Sequence, residues 1–86
     1  GPDVALLAAI DDPLARLVAA GVWLRAGRGH PAVVALAVET ASVQGWSRPL
    51  LAWLRVQQQQ ARLAGDTAAA DRVQRRLDLL GAGAAR

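Results

Sequence analysis

A chain of 86 residues, 53% of them hydrophobic, can bury one modest core, and its net charge of +3 comes from ten Arg set against seven acids. That balance permits weak attraction to anions but falls short of a dedicated nucleic-acid binder. With no Cys a disulfide framework is excluded, and a single His leaves little from which to build a zinc site.

Lys, Asn, Phe, Tyr and Met are absent as well, while Ala, Gly, Arg, Leu and Val dominate. The skew reads as coding from a GC-rich bacterial genome. No apolar run reaches the roughly 18 to 20 residues that span a bilayer, since Asp11, Asp12, Pro13 and Arg16 break one stretch and Glu39 another. A soluble, cytoplasmic chain is therefore expected. Gly1-Pro2 resembles the scar of a tag-removal protease, which implies a natural chain that starts earlier or near Asp3.

Taken in chain order, Asp3 is placed to cap a short helix through Ile10. Asp12-Pro13 opens a second helix, because Pro at the first helical position sacrifices no hydrogen bond; it should run to Ala26 and stop at Gly27. Arg28, Gly29 and His30 form the turn. Pro31 starts a third helix through Gln44, closed by Gly45, with Trp46 folding back on its last turn. Ser47 is the expected cap of a fourth helix, Arg48 to about Ala64, ended by Gly65. Asp66 then caps a fifth that reaches Leu80 and stops at Gly81, leaving Ala82 to Arg86 as a frayed tail. The expected fold is all-α: a short N-terminal helix and two stacked antiparallel hairpins in one domain spanning residues 1–86.

Gly27 and Gly65 lie 38 residues apart, as do Ala32 and Ala70, so the helix pair repeats. The stretch Ala61-Arg62-Leu63-Ala64-Gly65-Asp66, followed by Ala70 and Leu77, resembles the turn region of a tetratricopeptide repeat across residues 13–80. Trp23 stands where that family carries an aromatic near the end of its first helix, but Ala61 replaces it in the second hairpin, and the first turn reads Gly27-Arg28-Gly29-His30-Pro31. The resemblance implies a stacked helical array with a peptide-binding groove. Its lining would be Ala52, Arg55, Gln59, Arg62 and Leu63 on the fourth helix and Leu14, Leu17, Gly21 and Leu24 on the second.

Helix faces are uneven. Val33, Val34, Leu36, Val38 and Val43 point in nearly every direction, which makes the third helix the expected core helix. In the fifth, Ala70, Val73, Leu77 and Leu80 form one stripe, with Asp71, Arg72, Gln74, Arg75 and Asp78 facing away. In the fourth, Arg48, Arg55 and Arg62 recur every seven residues and so share a narrow stripe beside Gln59, opposite Leu50, Leu54, Trp53 and Ala61. Charge follows the same division: from Gln44 onward there are seven Arg against three Asp.

The Arg stripe is the sharpest candidate. It is either a solvated face or a surface that grips carboxylates through paired hydrogen bonds. The candidate partner-binding residues are Arg48, Arg55, Gln59, Arg62, Leu63 and Val56. Gln57 should approach the apolar side of its helix, Glu39 should form a structural ion pair, His30 should serve as a cap or loop residue, and Trp23, Trp46 and Trp53 should belong to the core. Catalysis has little to rest on, with Thr40, Ser42, Ser47 and Thr67 as the only hydroxyls and His30 the only good base. No catalytic residue, metal ligand or cofactor is expected. The function expected first is a non-catalytic, adaptor-like interaction module for a protein or peptide bearing acidic and apolar residues, cut from a larger chain. Two alternatives stand beside it: a homodimerisation domain using Val56 and Leu63, and a nucleic-acid binder using the Arg stripe.

Overall fold

The computed structural model describes residues 2–84, with side chains described from 4 to 81. It contains five helices and, among the described residues, no strand: α1 Pro2–Ala8, α2 Pro13–Arg25, α3 Pro31–Gln44, α4 Ser47–Leu63 and α5 Thr67–Ala84. The all-α architecture and the two hairpins, α2/α3 and α4/α5, follow the sequence reading.

Local chemistry explains the boundaries. Asp12 Oδ2 accepts the Ala15 amide at 3.0 Å, and Asp66 Oδ1 accepts the Ala69 amide at the same distance, so both carboxylates satisfy free donors of a first helical turn. Gly27, Gly45 and Gly65 take φ of 78°, 71° and 73°, the left-handed region where a side chain is costly. At each, the following amide (Arg28, Trp46, Asp66) donates to a carbonyl five residues back: Trp23, Ala41 and Ala61. One closure thus ends α2, α3 and α4.

Several boundaries depart from expectation, among them the end of α1, which falls at Ala8 and not Ile10. Ser47 is the first residue of α4 rather than its cap; Trp46, in extended conformation, holds the cap position and no side chain caps the helix. Gly81 does not stop α5, which continues to Ala84. Gly81 is absent from the positive-φ glycines, and a Gly kept in helical conformation costs only about 1 kcal/mol relative to Ala. The first helix starts at Pro2, so Asp3 lies within it, and its side chain falls outside the described residues, as do Gly1 and residues 85 and 86.

The helices pack in chain order, α2 on α3, α3 on α4 and α4 on α5, while α1 lies across α2 and α3. Sandwiched between α4 on one side and α1 and α2 on the other, α3 buries Val33, Val34, Ala37, Val38, Thr40 and Ala41. Val43 at its C-terminal end is left exposed. Leu7 from α1 and Leu54 from α4 are fully enclosed and close the core from opposite sides. Trp53 is buried, and Trp23 and Trp46 pack half-buried against the same cluster.

Polar links inside this core were not legible from periodicity. Arg16 donates from Nη2 (2.6 Å) and Nε (3.0 Å) to the Ile10 carbonyl and from Nη1 to Thr40 Oγ1 at 3.3 Å, while the Thr40 hydroxyl donates to the Leu36 carbonyl at 2.8 Å. This network ties the α1–α2 connection to α3. Glu39, expected in an ion pair, is exposed and has none among the described residues, since the core position next to it belongs to Thr40.

Candidate partner-binding face

The molecule measures 35 × 30 × 17 Å, and its thin dimension is less than two helix diameters. Long helices in so flat a body keep one face open. On α4 the core side is held by Leu50, Trp53, Leu54 and Gln58. The opposite side carries Arg48, Arg55 and Arg62, all exposed, with Gln59 and Leu63 alongside; Leu63 is 79% exposed. Five of the six expected binding residues therefore share one open arc. Val56 sits at its edge, half-buried against the core cluster.

Seven residues advance a helix by about 10 Å and return it to within about 20° of the same direction. The three Arg positions thus form a line with regular intervals along the helix. None of them has a hydrogen-bond or ion-pair partner within the described chain. The positive charge of this line is accordingly offered to solvent or to a partner.

Beside the line, a groove runs between α4 and α5, lined by Leu51, Arg55, Gln58, Gln74, Leu77 and Asp78. The Gln58 amide donates to Gln74 Oε1, and the Gln74 amide donates to Asp78 Oδ1 at 2.8 Å. Gln58 is thus the glutamine that enters the core, while Gln57, half-buried beside Leu54 and Ala61, approaches the apolar side of the helix. Gln74 correspondingly turns inward instead of facing away. Gln58 and Leu51 lie within about 20° of each other on the helical wheel, on the flank that α5 covers.

A second groove on the other side of α5 has an apolar floor of Leu54, Ala61, Ala69 and Val73. Arg72 and Arg76 form its rim, and Arg76 donates to Ser42 Oγ at 3.0 Å. Guanidinium groups therefore border both sides of the α4/α5 hairpin. At the far end of α4, the Gln60 amide donates to the Gly29 carbonyl, while Gln60 Oε1 is buried without a partner among the described residues. Gly29 itself permits the turn to lie on α2, because a Cβ there would meet the Leu24 Cα at 3.0 Å.

The other expected groove residues separate. Leu17 is buried in the core, Gly21 and Leu24 are half-buried and Leu14 is exposed. Among the described residues α2 and α4 have no Cα atoms within 8 Å of each other. His30 supplies the cap position of α3, its carbonyl accepting the Val33 and Val34 amides. Among the described residues no three His, Asp or Glu side chains gather as metal ligands, and no helix is long and apolar enough to cross a membrane. Comparison with family models, curated proteins and solved structures finds no match to this chain.

Proposed function

We propose that the α4/α5 hairpin is a recognition surface for an acidic and apolar peptide or helix, and that the chain acts as a protein-interaction module without catalysis of its own. The observation that carries this reading is the line of three exposed, unpartnered guanidinium groups on α4. A line with intervals of about 10 Å matches carboxylates seven residues apart on a partner helix or three apart on an extended strand. Leu63 beside Arg62 supplies the apolar contact that converts charge attraction into a defined register. Arg is suited to the task because its planar fork takes a carboxylate by two parallel hydrogen bonds.

The test is fluorescence anisotropy with a labelled helical peptide carrying Glu at seven-residue intervals flanked by Leu, against a scrambled peptide of equal composition and a DNA duplex. The ordered peptide should bind best. Arg55→Glu with Arg62→Glu should weaken it by about tenfold or more, the equivalent of two lost contacts and two repulsions, at unchanged helical circular dichroism. Equal binding of ordered and scrambled peptides would remove the register argument. Strong DNA binding with a steep salt dependence and no peptide binding would transfer the Arg line to a phosphate backbone.

A further inference from the structure

Outside α2 the exposed large apolar side chains fall one to a helix, Leu6 on α1, Val43 on α3, Leu63 on α4 and Leu79 on α5, which is ordinary for a protein surface. On α2 they do not. Leu14, Val18 and Val22 are 59%, 60% and 49% exposed and recur every four residues, so they form one continuous ridge along the outer face of a 13-residue helix. The inner face of α2 already packs through Leu17 and Ala20. Among the described residues no neighbouring helix covers the ridge.

Its ends carry opposite charge. Arg25 lies in the last turn, angularly between Leu14 and Val18 on the helical wheel, and Asp11 lies just before the first turn. Both are exposed, and neither side chain has a polar partner within the described chain. Asp12, by contrast, is committed to capping α2. Val18 is the midpoint: Leu14 and Val22 flank it at four residues, Asp11 and Arg25 at seven.

We propose that α2 pairs with α2 of a second copy of this chain, antiparallel about a two-fold axis through Val18. In that arrangement Val18 meets its own counterpart, Leu14 meets Val22 of the other copy, and Arg25 of each meets Asp11 of the other. The charges occupy the only register that also superposes the apolar ridge on itself, which is the self-complementarity a two-fold interface requires. Antiparallel alignment also sets the positive end of one helix dipole beside the negative end of the other. This pairing is independent of the acidic-peptide reading and uses a different helix.

A single helix face makes a small interface, under about 1,200 Å² in total, so association should develop with concentration rather than be complete at once. In sedimentation equilibrium the wild-type mass should rise from 9.0 kDa towards twice that value as concentration increases. Val18→Glu, which places two like charges on the axis at an exposed position, should hold the mass at 9.0 kDa with unchanged circular dichroism. Arg25→Asp and Asp11→Arg should each be monomeric alone and should associate when mixed, because the mixture restores opposite charges at both ends. A wild-type mass of 9.0 kDa at all concentrations would leave the ridge to a different partner and overturn the proposal. A dimer that survives Val18→Glu, or charge variants that fail to associate on mixing, would overturn it equally.

Discussion

Gln58 and Gln74 allow the cost of an unmade hydrogen bond to be isolated from the cost of a lost contact. Gln58 is 7% exposed on α4 and its amide donates to Gln74 Oε1 on α5, whereas Gln74 is half-buried and keeps Asp78 as a second partner. Gln74→Met preserves length and volume but removes the acceptor, so the Gln58 amide is left enclosed without one. That situation costs about 1 to 3 kcal/mol. For a domain of this size each kcal/mol lowers the melting temperature by about 4 to 8 °C, so a drop of about 4 to 24 °C is expected. Gln58→Met is expected to be milder, because the atom it orphans, Gln74 Oε1, belongs to a half-buried side chain whose amide stays bound to Asp78. The double variant should recover to within about 1 kcal/mol of wild type, since both polar groups are then gone together. Thermal and urea unfolding followed by circular dichroism measures all four proteins of this cycle. Additive single effects, or a Gln74→Met protein as stable as wild type, would refute the claim that this bond satisfies a buried group.

Arg16→Met should destabilise by about 1.5 to 3 kcal/mol, because charged hydrogen bonds to the Ile10 carbonyl and Thr40 are lost together, and hydrogen exchange should then increase first in α1. Gly45→Ala should cost about 1 to 2 kcal/mol by forcing a Cβ into left-handed backbone, although nothing within 4 Å obstructs it; a stability equal to wild type would contradict the strain argument. Leu54→Ala should cost about 2 to 5 kcal/mol and Leu63→Ala less than about 0.5, a contrast in urea midpoints that tests the assignment of one face of α4 to the core and the other to solvent.

Helix number, order and most ends were legible because they are written in residues with one dominant local use. Pro13 and Pro31 begin helices, Asp12 and Asp66 cap them, and Gly27, Gly45 and Gly65 end them. Gly81 misled because the same residue is tolerated inside a helix, where it keeps a φ outside the left-handed region that Gly27, Gly45 and Gly65 adopt. Ser47 misled because Trp46, pinned by its amide to Ala41, already occupies the extended position that a cap requires. The Arg line was readable from a seven-residue interval alone. The glutamine that enters the core was not, because four consecutive Gln sample every direction and only the position of α5 selects Gln58. The α2 ridge escaped for a related reason: an evenly apolar helix does not reveal which of its sides remains uncovered.

Among the described residues the two proposed surfaces lie on helices with no Cα atoms within 8 Å of each other, so occupation of one should leave the other open. A two-fold pair joined through α2 would then display two Arg lines on one particle. For a partner carrying two acidic motifs on a flexible tether, the second contact becomes intramolecular, at an effective concentration in the millimolar range for short linkers. Pairing at Val18 should therefore strengthen two-motif binding without altering any contact at Arg55 or Arg62. Val18→Glu is expected to weaken a tethered two-motif peptide by about tenfold or more while leaving a single-motif peptide unchanged. Arg55→Glu with Arg62→Glu should weaken both. If Val18→Glu lowered the affinity of both peptides alike, the α2 ridge would be part of the peptide site itself, and the separation of assembly from recognition would fail.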